Sequence, residues 1–130
     1  MANEIPSAEE WLRRAKADAA AAQCGMFLLH NGVVRRSAKA RVRQGDETAP
    51  EVRGMYFSYD REKAEAAVAE TRAMPGIAYV RIWLNEGELH VGDDIMYVLI
   101  GGDIRPRVVD ALQFLVGKLK DECVTEKEYY

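Results

Sequence analysis

Between residues 35 and 43 this chain places Arg35, Arg36, Lys39, Arg41 and Arg43 with no acid among them. Guanidinium groups bind phosphate and carboxylate bidentately, so such a run is either a solvated basic loop or an anion site whose loop closes over its ligand. Arg35 is the best fixed of the five, because it directly follows an apolar run. A second set of cations lies near the other end of the chain, with Arg105 just before Pro106 and then Lys118, Lys120 and Lys127. On helical periodicity alone, Lys118 and Lys120 fall in a last turn, where cations gain about 0.3–1 kcal/mol from the helix dipole. His30 sits inside the first apolar run, and no partner for acid–base work can be named from the sequence, so it reads as a hydrogen-bonded structural residue. Cys24 and Cys123 have no second Cys or His at ligand spacing beside either, which argues against zinc and for two free thiols in a reducing compartment.

These side chains need elements to hold them. Ser7 followed by Glu10 has the capping-box form, and Trp11, Leu12, Ala15, Ala19 and Ala22 recur at helical spacing, which predicts a helix over 8–22. The apolar run from 25 to 34 suits a central strand, 45–50 reads as loop, and 51–59 alternates as a second strand. Asp60 can cap a helix that Pro75-Gly76 ends, and 77–84 is a third strand. Asn85-Glu86-Gly87-Glu88 reads as a hairpin turn into a short strand, and 95–100 is a further apolar strand. Asp103 is expected to cap the last helix, with Pro106 in its first turn, where a missing N–H is harmless. The order predicts an α+β domain with a largely antiparallel sheet covered on one face by helices.

A length of 130 residues suits one domain over 1–130, comprising an N-terminal helical segment 1–24, a basic mobile loop 35–50 and a C-terminal tail 121–130. A composition of 48% hydrophobic and 30% charged residues excludes a disordered or fibrous chain. No apolar run approaches the roughly 20 residues of a membrane span, and the start lacks the basic and apolar regions of a secretory signal, so a cytoplasmic protein is expected. The net charge of −3, and a basic run without interleaved aromatics, speak against nucleic acid as a partner.

Three features in order carry a resemblance. Gly32-x-Val34-Arg35 follows the first strand; Gly87-Glu88-Leu89-x-x-Gly92-Asp93-Asp94-Ile95 precedes another; Arg105 opens a helix that ends in Leu119-Lys120. Together they make the chain resemble the large, catalytic subunit of molybdopterin synthase, the MoaE family, over roughly 25–127. The resemblance implies an α/β hammerhead-like fold. It also implies a sulfurtransferase that converts cyclic pyranopterin monophosphate to molybdopterin, in molybdenum cofactor biosynthesis. The sulfur would come from a small ubiquitin-like, MoaD-like carrier with a C-terminal Gly-Gly thiocarboxylate. No permanently bound cofactor or metal is implied, only the pterin phosphate substrate, and the large subunit would be a homodimer within a heterotetramer. By position, Lys120 and Lys127 match the family's catalytic lysines. Arg35 and Arg105 match its substrate arginines, and Arg36 and Lys39 stand beside the first of these as further phosphate-binding candidates. Ile104 replaces the family's histidine, His30 replaces its phenylalanine, and Val124-Thr125-Glu126 replaces its Pro-x-Trp segment. A catalytically weakened or inactive relative that binds the carrier or a phosphorylated pterin is the alternative.

Overall fold

The computed structural model describes residues 4–38, 43, 45, 47 and 50–130. Two three-stranded antiparallel sheets carry the fold. In the first the order is β1 (Met26–Val33), β5 (Asp94–Gly102), β3 (Ile77–Leu84); in the second it is β4 (Gly87–His90), β2 (Gly54–Tyr59), β6 (Val124–Tyr129).

Period-two alternation sorts the first sheet into two faces. Val80, Met96, Val98 and Ile100 point toward α2 (Arg61–Arg72) and α3 (Arg105–Lys118), where Ala64, Ala67, Val108, Ala111 and Leu115 complete the main core. Tyr97 and Leu99 point the other way and meet Trp11 and Ala15 of α1 (Ala8–Ala17). Helices therefore cover both faces rather than one. β5, central and buried on both sides, is the continuous apolar strand of such a position.

Local chemistry explains most boundaries. The Glu10 N–H donates to Ser7 Oγ at 3.3 Å, as the capping box requires, but α1 stops at Ala17 because Asp18 caps a separate 3-10 turn, Ala19–Gln23. The Lys63 N–H donates to Asp60 Oδ1 at 3.1 Å and starts α2. Asp103 does not cap α3. Ile104 holds the cap position in extended backbone, while the Asp103 carboxylate accepts from the Ile104 N–H at 2.7 Å and from Arg107 at 2.8 Å.

The expected hairpin at 85–88 is absent, because β3 and β4 do not pair. A turn is there, with Gly87 at φ +95, but it passes the chain from the first sheet to the second. Asn85 fixes that crossing: its N–H donates to Ile95 O at 2.9 Å, and its side-chain amide donates to Asp94 O at 2.9 Å. After α3 the chain forms a π-turn, Leu119–Cys123, with Leu119 and Cys123 buried, and then β6, which fills the second sheet opposite β4. The segment read from the sequence as a tail is thus a turn and a strand.

Candidate functional site

Lys120 is carried by the π-turn, a geometry recurrent at functional sites. Its neighbour Leu119 is fully buried, and Cys123 closes the turn as its carbonyl accepts from the Asp60 N–H at 2.8 Å. The turn is anchored on both sides of Lys120. Lys118, two residues earlier, points elsewhere and pairs with Glu122 at 3.0 Å, which raises its pKa above the ordinary lysine value.

Arg35 arrives from the other side of the molecule. The pairing of β1 with β5 slips between Gly32 and Val33, where Ile95 of β5 is the extra, bulged residue. Bulges bend a strand and re-aim the side chains after them. Beyond the bulge, the Val34 N–H donates to Asp93 O at 3.0 Å, and Val34 O accepts from the Gly92 N–H at 2.8 Å. Those two bonds fix the direction in which Arg35 leaves the sheet.

Arg35 and Lys120 meet at one partly enclosed cavity of about 210 Å³ between the two sheets. The first sheet contributes His30, Gly32 and Met96 to its wall, and the second contributes Met55, Glu126 and Glu128. The register explains the acids: Glu126 opposes Phe57 and Glu128 opposes Met55, so both carboxylates share the inward face with buried apolar residues. Lys127 opposes Tyr56, which is half exposed, and faces outward. Two cations and two carboxylates line the cavity, a balanced set rather than the wholly cationic one expected.

Of the remaining expected site residues, Arg36 is exposed and does not line the cavity, and Lys39 lies outside the described residues. Arg105 is exposed at the start of α3. At 1.5 Å rise per residue it stands roughly 20 Å from the π-turn, so within one chain it cannot share the Lys120 cavity.

His30, Glu126 and Glu128 are the cavity residues that sequence reasoning did not place there. His30 lies on the same face of β1 as Leu28 and Gly32, and its Nε2 is buried without a hydrogen-bond partner among the described residues. Burial, and secondarily the Lys120 charge, lower its pKa below the ordinary 6.5, so the ring is neutral near pH 7. The acids had a legible signal: residues 124, 126 and 128 share one parity, and recognising β6 as a strand would have put Glu126 and Glu128 on the face opposite Lys127.

A larger groove of about 490 Å³ runs between α2 and β3 and is more open. Two of its three arginines are engaged: Arg72 donates to Val80 O at 3.0 Å, and the Arg81 guanidinium lies 4.3 Å from the centre of the Trp11 ring. Among the described residues no cluster of His, Cys, Asp and Glu could hold a metal ion, and no helix is long and apolar enough to cross a membrane. Cys24 and Cys123 are free thiols whose pKa values are raised, mainly by burial.

Comparison with known proteins converges on one family. The sequence profile of the MoaE protein family matches residues 4–122. Molybdopterin synthase from Staphylococcus aureus superposes with a TM-score of 0.74 at 15% identity, over 99% of this chain and 88% of that one. The molybdopterin biosynthesis MoaE protein from Burkholderia ambifaria gives 0.71 at 20% identity, over 98% and 83%. A chain from the complex of subunits 1 and 2 of molybdopterin-converting factor from Helicobacter pylori gives 0.66 at 14% identity, over 95% and 78%. No curated protein matches the sequence.

Proposed function

The chain belongs to the MoaE family, the large subunits of molybdopterin synthase, and from that premise we propose that its reaction is carried out in the Lys120 cavity. The reaction is the conversion of cyclic pyranopterin monophosphate to molybdopterin, with sulfur supplied by the thiocarboxylate of a small MoaD-like carrier. The observation that carries this reading is the convergence of Arg35 and Lys120, from opposite ends of the chain, on one partly enclosed space between the sheets.

The mixed polarity of the cavity suits this substrate. Arg35 offers a bidentate fork and Lys120 a point charge to a phosphate or a thiocarboxylate, both anionic. Glu126 and Glu128 offer acceptors to the amino and ring N–H groups of a pterin. We assign Lys120 the chemical role, as proton donor or acceptor or as nucleophile toward the carrier's acyl carbon. Its charge also stabilises negative charge developing at that carbonyl. Arg105 can reach such a cavity only from a second copy of the chain, which agrees with the proposed homodimer. With two free thiols, we place the protein in the cytoplasm.

Purified protein mixed with thiocarboxylated carrier and cyclic pyranopterin monophosphate is expected to form molybdopterin. No product, under conditions where an established synthase turns over, would remove the enzymatic reading. The inward Glu126 and Glu128 favour one second reading, a binding protein of the same fold with weakened chemistry. Calorimetric binding of the carrier with no turnover is its signature.

A further inference from the structure

Among the groups that face the cavity, His30 is the one to which neither the fold nor the family pattern gives a task. Its position in β1 requires only something that fills space, as the family's phenylalanine would. Here an imidazole stands instead, with Nε2 buried and lacking a hydrogen-bond partner among the described residues. A buried polar atom left unmatched is destabilising, so its presence calls for a partner that arrives from outside.

Two further observations show where that partner would sit. Gly32, next but one along the same face of β1, has no side chain to cover the ring or the space beside it, and its position leaves little room for one. A Cβ built there would lie 3.7 Å from His30 Nε2 and 3.2 Å from Met96 Cγ. The same space is bordered by Arg35, Lys120, Glu126 and Glu128, so a ligand held by those four charges lies against the imidazole edge.

We propose that His30 is a ligand-contacting residue of this cavity, whose Nε2 hydrogen-bonds a hydroxyl or ring N–H of the bound pterin phosphate. The nearby ammonium of Lys120 favours the tautomer that turns the Nε2 lone pair to the cavity, leaving the proton on Nδ1. A neutral acceptor complements the charged groups. Arg35 and Lys120 select for the anionic end of the ligand, whereas His30 reads an uncharged donor and so separates a pterin phosphate from a bare phosphate. This inference rests on the Lys120 cavity being the substrate site.

The test is calorimetric titration with cyclic pyranopterin monophosphate, and with inorganic phosphate as the anion-only probe, on the wild type and on His30→Phe, His30→Gln, Gly32→Ala and Lys120→Ala. His30→Phe keeps a flat ring, removes the ring nitrogens and places there the residue of the family pattern; circular dichroism first checks that it is folded. It is expected to bind the pterin phosphate about 3- to 10-fold more weakly and phosphate unchanged, the loss of one hydrogen bond. His30→Gln, which keeps an acceptor, is expected to recover most of that loss, and Gly32→Ala to weaken the pterin ligand alone. The chain has two histidines, His30 and His90, so the ¹⁵N signals of His30 are readily assigned and its Nε2 resonance is expected to move on saturation with ligand. If Lys120→Ala weakens binding while His30→Phe does not and the Nε2 signal stays put, His30 is structural and the inference is overturned. If Lys120→Ala also binds normally, the cavity assignment fails and takes this inference with it.

Discussion

At the scale of single residues, the site differs from its sequence reading in which way side chains point. Arg35 and Lys120 were legible as site candidates through the family pattern, and their positions could be fixed because each follows directly on a strong element, a strand and a long helix. Lys127 carries the same chemical type, but a strand presents alternate residues to opposite faces, and pairing with β2 gives the inward face to Glu126 and Glu128. Parity is invisible until the strand is known to exist. His30 was read as structural because no partner could be named; burial first, and then the charge of Lys120, ninety residues away, make its environment distinctive. A pH dependence follows from that environment. In the unfolded chain His30 titrates near 6.5, whereas in the folded chain its pKa is lower. The unfolded state therefore binds the extra proton first, and stability present above about pH 6.5 is lost as pH falls through the folded value. Urea unfolding between pH 5 and 7.5 is expected to show this slope in the wild type, and His30→Phe is expected to flatten it. An unchanged slope in that variant would place the effect elsewhere.

At the scale of elements, the π-turn and the bulge between β1 and β5 do the positioning. The bulge turns Arg35 out of the first sheet, and the π-turn swings Lys120 inward while dropping Leu119 and Cys123 into the core. Leu119→Ala would leave a cavity where α3, the π-turn and the core meet, and is expected to cost about 2–5 kcal/mol by urea or thermal unfolding. A cost below 1 kcal/mol would mean that the turn is not anchored as described. The helices and the apolar strands were readable because periodicity and capping are local: Ser7, Asp60 and the buried run of β5 each announce themselves. The 85–88 turn shows the limit of local signals. Gly87 and Asn85 specify that the chain turns, but the partner of the next strand is decided by long-range bonds, here from Asn85 to Asp94 and Ile95 on the one side and from β2 to β4 on the other. The two-sheet arrangement, and with it the cavity between the sheets, has no such local sign.

At the scale of the whole molecule, membership of the MoaE family and the architecture agree: two antiparallel sheets, helices on both faces of the first, and a mixed-charge cavity where the sheets meet. On the proposed function, the C-terminus of a small carrier must reach that cavity, and Arg105, roughly 20 Å away along α3, could contribute to it only from a second copy. The claim on which the rest depends is that the reactive centre is the cavity that holds Lys120 and not the outer face that holds Lys127. The direct measurement is molybdopterin formation from thiocarboxylated carrier and cyclic pyranopterin monophosphate by the wild type, Lys120→Ala and Lys127→Ala, each first shown by circular dichroism to be folded. Removal of a proton-transfer group costs about 10²–10⁴-fold, so Lys120→Ala is expected to fall by at least 100-fold and Lys127→Ala by less than 10-fold. Equal activity of wild type and Lys120→Ala, or a collapse confined to Lys127→Ala, would contradict the account.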